Sequence, residues 1–200
     1  KDIKKLLKKH KINKYKIILE PAKKNTAPAI ITSALIEDIP NQQPLLFLSA
    51  DHLIGKVNKF YNKIRQNKKY LTDKNIFIFG IKANTPSDQF GYFITKKIKK
   101  NVSKVSRFLE KPTQEKAKNI IKKGGCWNSG MFFLKKESIL YNFKKYQKKI
   151  YINSLLSIKK SKFKNNVYFL NKNKFSKIPQ KSFDYAILEK TKDIYGIKLD

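Results

Sequence analysis

Short apolar runs bounded by polar turns alternate along this chain with longer amphipathic stretches, the pattern of β and α elements exchanging through an α/β domain. Strands are predicted at residues 15–19, 45–48, 76–81, 91–94, 102–109, 131–134, 167–170 and 195–199. Several are apolar at every position, as a sheet covered on both faces requires. Helices are predicted at 27–36, 53–66, 114–122, 136–148 and 183–189. The first has a readable start: Thr26 can cap it, and Pro28 falls in the first turn, where its missing N–H costs nothing. No internal repeat and no linker rich in Pro, Gly or Ser divides the chain, so residues 1–200 are expected to form one domain.

Composition supports that size class: 200 residues with 40% hydrophobic and 12% aromatic content can bury most of their apolar surface in one unit. No stretch approaches the roughly 20 apolar residues of a membrane span, and the lysine-rich start lacks the apolar run of a signal peptide. A soluble, cytoplasmic protein without membrane partners is therefore expected, with homo-oligomers allowed for. Cys126 is the single cysteine, which excludes an intrachain disulfide and a zinc-finger cluster.

The net charge of +32 changes the picture less than its size suggests. Clustered cations attract nucleic acid by releasing condensed counterions. Readers of nucleic acid, however, favour the planar arginine fork, and only Arg65 and Arg107 of the 46 basic residues are arginine. Abundant lysine, asparagine and isoleucine fit an AT-rich coding bias better than a specific nucleic-acid partner. The lysine runs near 96–100, 144–149 and 159–164 are interrupted by apolar residues at element spacing, so they read as solvated helix faces and loops.

Four segments carry candidate chemistry. In LLFLSADH (45–52) an apolar strand ends on an acid, and in an open α/β sheet the carboxyl ends of strands form the ligand crevice. Asp51 there can ligate Mg²⁺, which takes one or two carboxylates plus phosphate oxygens, or it can simply cap the next helix. His52 reads as structural. In EPAKKNTAPAI (20–30), Asn25, Thr26 and the free N–H groups of a helix start suit a base edge or an anion, with plain helix capping as the alternative. FLEKP (108–112) sets Glu110 beside Lys111 ahead of a proline; neighbours on a strand point to opposite faces, but distortion at the turn can bring both into one pocket. Glu110 could then accept sugar hydroxyl hydrogen bonds while Lys111 balances phosphate, the alternative being a surface ion pair. In GGCWNSGMFF (124–133), Gly130 permits close backbone approach and Asn128 offers both donor and acceptor to vicinal hydroxyls; turn chemistry is the competing account.

In order and spacing, LEPAKKNTAPAI, LLFLSADH, FGI (79–81), FGY (90–92), FLEKP, WNSGMFF and SFDYAILEKT (182–191) resemble the bacterial mannose-1-phosphate guanylyltransferase family over nearly the whole chain. The resemblance implies a Rossmann-like α/β fold of the nucleotide-diphospho-sugar transferase type, a mixed, mostly parallel sheet flanked by helices. It implies attack of mannose 1-phosphate on the α-phosphate of GTP, with Mg²⁺, giving GDP-mannose and pyrophosphate without a covalent enzyme intermediate. Carried over, Asp51 would be a Mg²⁺ ligand, Lys111 would bind the sugar's phosphate, and Glu110, Asn128, Gly91 and Asp184 would surround the sugar. Asn25 and Thr26 would lie near the nucleotide; Asp184 and Lys190 match a family motif, with the role of Lys190 unassigned. Lys23-Lys24 replace a usual Gly-Arg, Ser49 a usual proline, and Asp88-Gln89-Phe90 a more glycine-rich approach to Gly91. The family's N-terminal glycine-rich loop and second metal-binding aspartate have no counterpart in these 200 residues. They are thus expected to be truncated at both ends of the catalytic domain and to lack turnover alone. Rival readings are a transferase for glucose 1-phosphate with UTP or dTTP, a noncatalytic homologue, and, last, a nucleic-acid binder.

Overall fold

The structure, a computed structural model, describes residues 2–99 and 102–199. Each predicted strand overlaps an observed one: β1 Ile17–Leu19, β2 Pro44–Phe47, β3 Ile76–Lys82, β4 Tyr92–Lys99, β5 Val102–Leu109, β6 Cys126–Lys135, β8 Val167–Phe169 and β9 Ile194–Leu199. The hairpin partner of β8, β7 Lys162–Lys164, was not expected, because KFK is too short and too charged to signal a strand. The helices are α1 Asp2–Lys9, α2 Thr26–Ala34, α3 Val57–Lys68, α4 Gln114–Lys122, α5 Lys136–Tyr146, α6 Lys148–Lys159 and the single turn α7 Lys172–Phe175. The segment expected as a helix at 183–189 is wound more widely, with Asp184–Leu188 in a π-helical turn.

Three differences from expectation have local causes. The apolar pair Leu53-Ile54 suggested a helix start, but α3 begins only at Val57; Gly55 lies in the turn before it and Leu53 is 97% exposed. The helix predicted to end at 148 breaks at Gln147, whose φ of −139° is extended, and resumes as α6. Strand β6 extends five residues further back than predicted. Gly130, at φ +71°, lies where the β3–β6 register jumps from Ile78↔Phe132 to Gly80↔Asn128, so a glycine that reads as a turn is a bulge within the strand.

The larger sheet has the order β2-β6-β3-β9-β5-β4, and it curls until β4 also meets β6 at Tyr92↔Trp127 and Phe93↔Cys126. It is mixed and flanked by helices, as expected. The expected parallel bias holds for direction only: β2, β3, β9 and β4 point one way and β6 and β5 the other. Among described neighbours in this sheet, β3–β9 alone pair in parallel, because the antiparallel β6 and β5 are interleaved. A small second sheet, β1-β8-β7, joins β1 and β8 in parallel.

Strand β3 shows why its all-apolar run was needed. Ile76 and Ile78 enter a cluster with Ile31, Phe132, Phe143 and Phe183 on the side of α2, α5 and α6. Phe77 and Phe79 enter another with Phe60, Met131, Phe133 and Ile197 on the side of α3. Burial of each such side chain contributes about 1.5–3 kcal/mol. This two-sided core fixes β3, β6 and β9, and thereby holds the site residues at the ends of β5 and β6. A third cluster, with Tyr92, Ala117, Ile120 and Trp127, seats α4 against β4. Among the described residues, no helix is long and apolar enough to cross a membrane.

Candidate active site

Strand β5 delivers FLEKP to an open cleft of about 750 Å³ lined by Asn25, Thr26, Glu110, Lys111, Asp184 and Lys190, among others. Lys111 has φ +46°, a left-handed conformation uncommon for a side-chain-bearing residue. That distortion lets neighbouring Glu110 and Lys111 reach the same cleft, which regular strand geometry would forbid.

Two other segments close on Glu110. Asn128 on β6 donates from its backbone N–H to the Gly91 carbonyl at 2.7 Å, and from Nδ2 to Asp184 Oδ1 at 2.6 Å. Gly91 is buried immediately before β4, and a Cβ on it would collide with Glu110 Oε2. The preceding loop is tied down by the Tyr92 hydroxyl, which accepts from the Ser87 N–H at 2.8 Å and donates to its carbonyl at 3.0 Å. Gly91, Glu110, Asn128 and Asp184 therefore meet at one point, although they are spread over 94 positions of sequence (91–184).

The helix start is joined to the same cleft. The Asn25 side chain, held at φ +70°, accepts from the Thr26 N–H at 2.8 Å. The Thr26 hydroxyl is not that cap; it accepts from the Phe183 N–H at 2.9 Å and so pins the turn carrying Asp184. Ala27 N–H donating to Lys181 O, and Lys181 N–H to Lys24 O, complete the zipper between the two loops.

Electrostatically the cleft is an acid cluster faced by lysines. Burial pushes the Glu110 carboxyl up to about 7; the Asp184 charge adds to this, Lys111 pulls the other way and Glu189 pushes up again. Burial also raises Asp184, against the pull of its backbone N–H and Asn128. Glu110 Oε2 is buried with no hydrogen-bond partner among the described residues. Gly91 leaves the space that this oxygen fills, which holds the carboxyl at the edge of the cleft.

Asp51 lies elsewhere: it occupies the exposed turn after β2 and does not line the Glu110 cleft. Among the described residues, no group of three or more His, Cys, Asp or Glu side chains could hold a metal ion. One exposed carboxylate still suits Mg²⁺ that arrives with phosphate oxygens and keeps its waters. Motif reading passed over Glu189, Tyr185, Gln180, Lys181 and Ser182, which also line the cleft. The SFDYAILEKT run was the available signal, but only the π-helical winding turns Asp184, Tyr185 and Glu189 toward one space.

A mixed α/β sheet with an acid-and-lysine cleft at its strand ends belongs to a defined class, and the family model described as nucleotidyl transferase matches residues 2–176. This chain is a member of the nucleotidyl transferase family. It is similar to the mannose-1-phosphate guanylyltransferase of Escherichia coli, 37% identical over 193 residues, covering 92% of this chain and 42% of that protein. It is also similar to the alginate biosynthesis protein AlgA of Pseudomonas syringae pv. tomato, 32% identical over 180 residues, covering 88% and 37%. The chain thus spans about two fifths of the length of the curated relatives it matches. Among solved structures, a Helicobacter pylori protein described as mannose-6-phosphate isomerase superposes with TM-score 0.85 at 27% identity, covering 97% of this chain and 76% of that one. A Thermus thermophilus protein described as mannose-1-phosphate geranyltransferase shares the fold, with TM-score 0.80 at 20% identity and coverages of 99% and 56%.

Proposed function

We propose that this chain provides the sugar-phosphate half of a mannose-1-phosphate guanylyltransferase of the cytoplasm. The reaction would join GTP and mannose 1-phosphate into GDP-mannose and release pyrophosphate. The observation that carries this reading is the convergence of Glu110, Asn128 and Asp184 around Gly91, with Lys111 on the same cleft.

In this reading the ionised Glu110 accepts hydrogen bonds from sugar hydroxyls that enter the cleft it lines. Asn128, oriented by Asp184, presents its amide to a neighbouring hydroxyl. The Lys111 ammonium holds the sugar phosphate as a point charge and aligns its oxygen for in-line attack, so catalysis is mainly positioning. Asn25 and Thr26 stand at the nucleotide side, where the α2 start favours negative charge. When bound with the nucleotide, Mg²⁺ would be held by Asp51 and phosphate oxygens and would neutralise charge on the phosphates.

Titrating the full-length protein with mannose 1-phosphate tests this. Wild type should bind it in preference to glucose 1-phosphate, and Glu110→Ala should weaken binding about ten-fold or more, the value of a hydrogen bond to a charged group. Equal affinity for glucose 1-phosphate, or turnover with UTP or dTTP in place of GTP, would transfer the protein to the rival specificity.

A further inference from the structure

Helix α4 and the β4–β5 hairpin border a hollow of about 430 Å³ that the proposed reaction does not use. Ile94, Arg107, Lys116, Asn119, Ile120 and Lys123 line it, and none of these lines the Glu110 cleft. The helix supplies positions 116, 119, 120 and 123, spaced i, i+3, i+4 and i+7 and therefore on one face. Ala117 and Ile120 seat that helix against Tyr92. The strands supply the other wall through a bulge. Ile94 pairs with Arg107 but Thr95 pairs with Val105, so Ser106 is an extra residue in β5. The Ser106 hydroxyl donates to the Ile94 carbonyl at 3.2 Å and ties the bulge to β4. In a regular strand Val105 and Arg107 would share a face. With the bulge, Val105 packs into the core with Phe93 and Phe108, while Arg107 stands on the α4 side beside Ile94. The cross-strand pair Lys96 and Lys104 lies on that same side.

Three cations and one amide thus face the hollow, and no carboxylate lines it. The one acid of α4, Glu115, is not part of the lining. None of the four polar side chains makes a hydrogen bond or ion pair among the described residues. Two of the placements are not accounted for by general lysine richness. Lys116 stands in the first turn of α4, where the helix dipole disfavours a cation. Arg107 is one of only two arginines among 46 basic residues; the other, Arg65, lies on α3 over the Tyr61 ring, 5.8 Å from its centroid. A planar fork set among point-charge ammoniums suits bidentate binding of phosphate oxygens.

We propose that this hollow is a binding site for a small phosphorylated molecule. The Arg107 fork grips the phosphate oxygens, Lys116 and Lys123 neutralise the remaining charge, and the Asn119 amide hydrogen-bonds a polar group of the ligand above Ile94 and Ile120. Bound phosphate relieves the mutual repulsion of the three cations. The site goes beyond the proposed transferase reading and stands without it, because it shares no residue with the cleft that handles the sugar phosphate.

Calorimetric titration of the full-length protein with inorganic pyrophosphate, at about 0.15 M salt where the screening length is about 8 Å, tests the proposal. Arg107→Gln/Lys123→Gln should lower affinity at one site about ten-fold or more, and Arg107→Lys several-fold, since the charge is kept and the fork lost. Lys118→Gln/Lys122→Gln makes the same charge change on the opposite flank of the same helix and should alter affinity less than about two-fold. Pyrophosphate held at the nucleotide side of the Glu110 cleft responds to neither double variant, so only a component lost in the first and kept in the second belongs to the hollow. Arg107 and Lys123 are exposed, so the variants keep the core, and a melting temperature no lower than that of wild type confirms it. Three results would overturn the proposal: no saturable binding, equal losses from the two double variants, or affinity untouched by Arg107→Gln/Lys123→Gln. Loss of mannose 1-phosphate binding in Glu110→Ala bears on the transferase reading alone.

Discussion

Replacing Glu110 by glutamine should stabilise the protein at alkaline pH and do so less at acid pH. In the folded chain this carboxyl titrates near 7, against an ordinary value of 4.5, chiefly because it is half-buried and secondly because Asp184 is close. A folded pKa above the unfolded one means that the native state holds a proton the unfolded chain has already lost, so stability falls as pH rises from about 4.5 to 7. The gap corresponds to about 3 kcal/mol. Solvent reaches part of the carboxylate, which reduces the recoverable amount to about 1–2 kcal/mol. Glutamine keeps the shape and removes the charge, so the variant's advantage over wild type should be larger at pH 8 than at pH 5 by that amount. For a chain of this size this is about 2–8 °C in melting temperature. Urea unfolding at both pH values measures it, and the difference between pH values cancels any interaction that the substitution removes equally at both. An advantage independent of pH, or one larger at pH 5, would show that Lys111 holds Glu110 ionised and would refute the reasoning.

Two further substitutions probe the convergence around Glu110. Asn128→Ala leaves the Asp184 carboxylate without its 2.6 Å donor and should destabilise by about 1–3 kcal/mol at pH 8. Burial already raises Asp184, and losing the donor raises it further, so the penalty should shrink once acid protonates the group; melting curves at pH 8 and pH 4 check this. Gly91→Ala drives a methyl group into Glu110 Oε2, so mannose 1-phosphate affinity should fall about ten-fold or more while stability drops by about 1–3 kcal/mol, both read on one purified sample.

The alternation of apolar and polar positions was enough to place eight strands, to show that β3 is buried on both faces, and to start α2 near Thr26. These features depend on local periodicity and on a capping residue adjacent in sequence. The motif runs were likewise enough to single out Glu110, Lys111, Asn128 and Asp184. The sequence could not say that Thr26 serves Phe183 while Asn25 caps the helix, because that bond joins positions 157 apart. Nor could it show that Gly130 is a bulge, that Lys111 adopts a left-handed backbone, or that Asp184–Leu188 winds as a π-helix. The bulge depends on how β3 and β6 register against one another, and the other two on packing between segments far apart in sequence. The raised Glu110 carboxyl has the same origin. Burial and the distances between charges are properties of assembled space, and a linear sequence of side chains does not contain them.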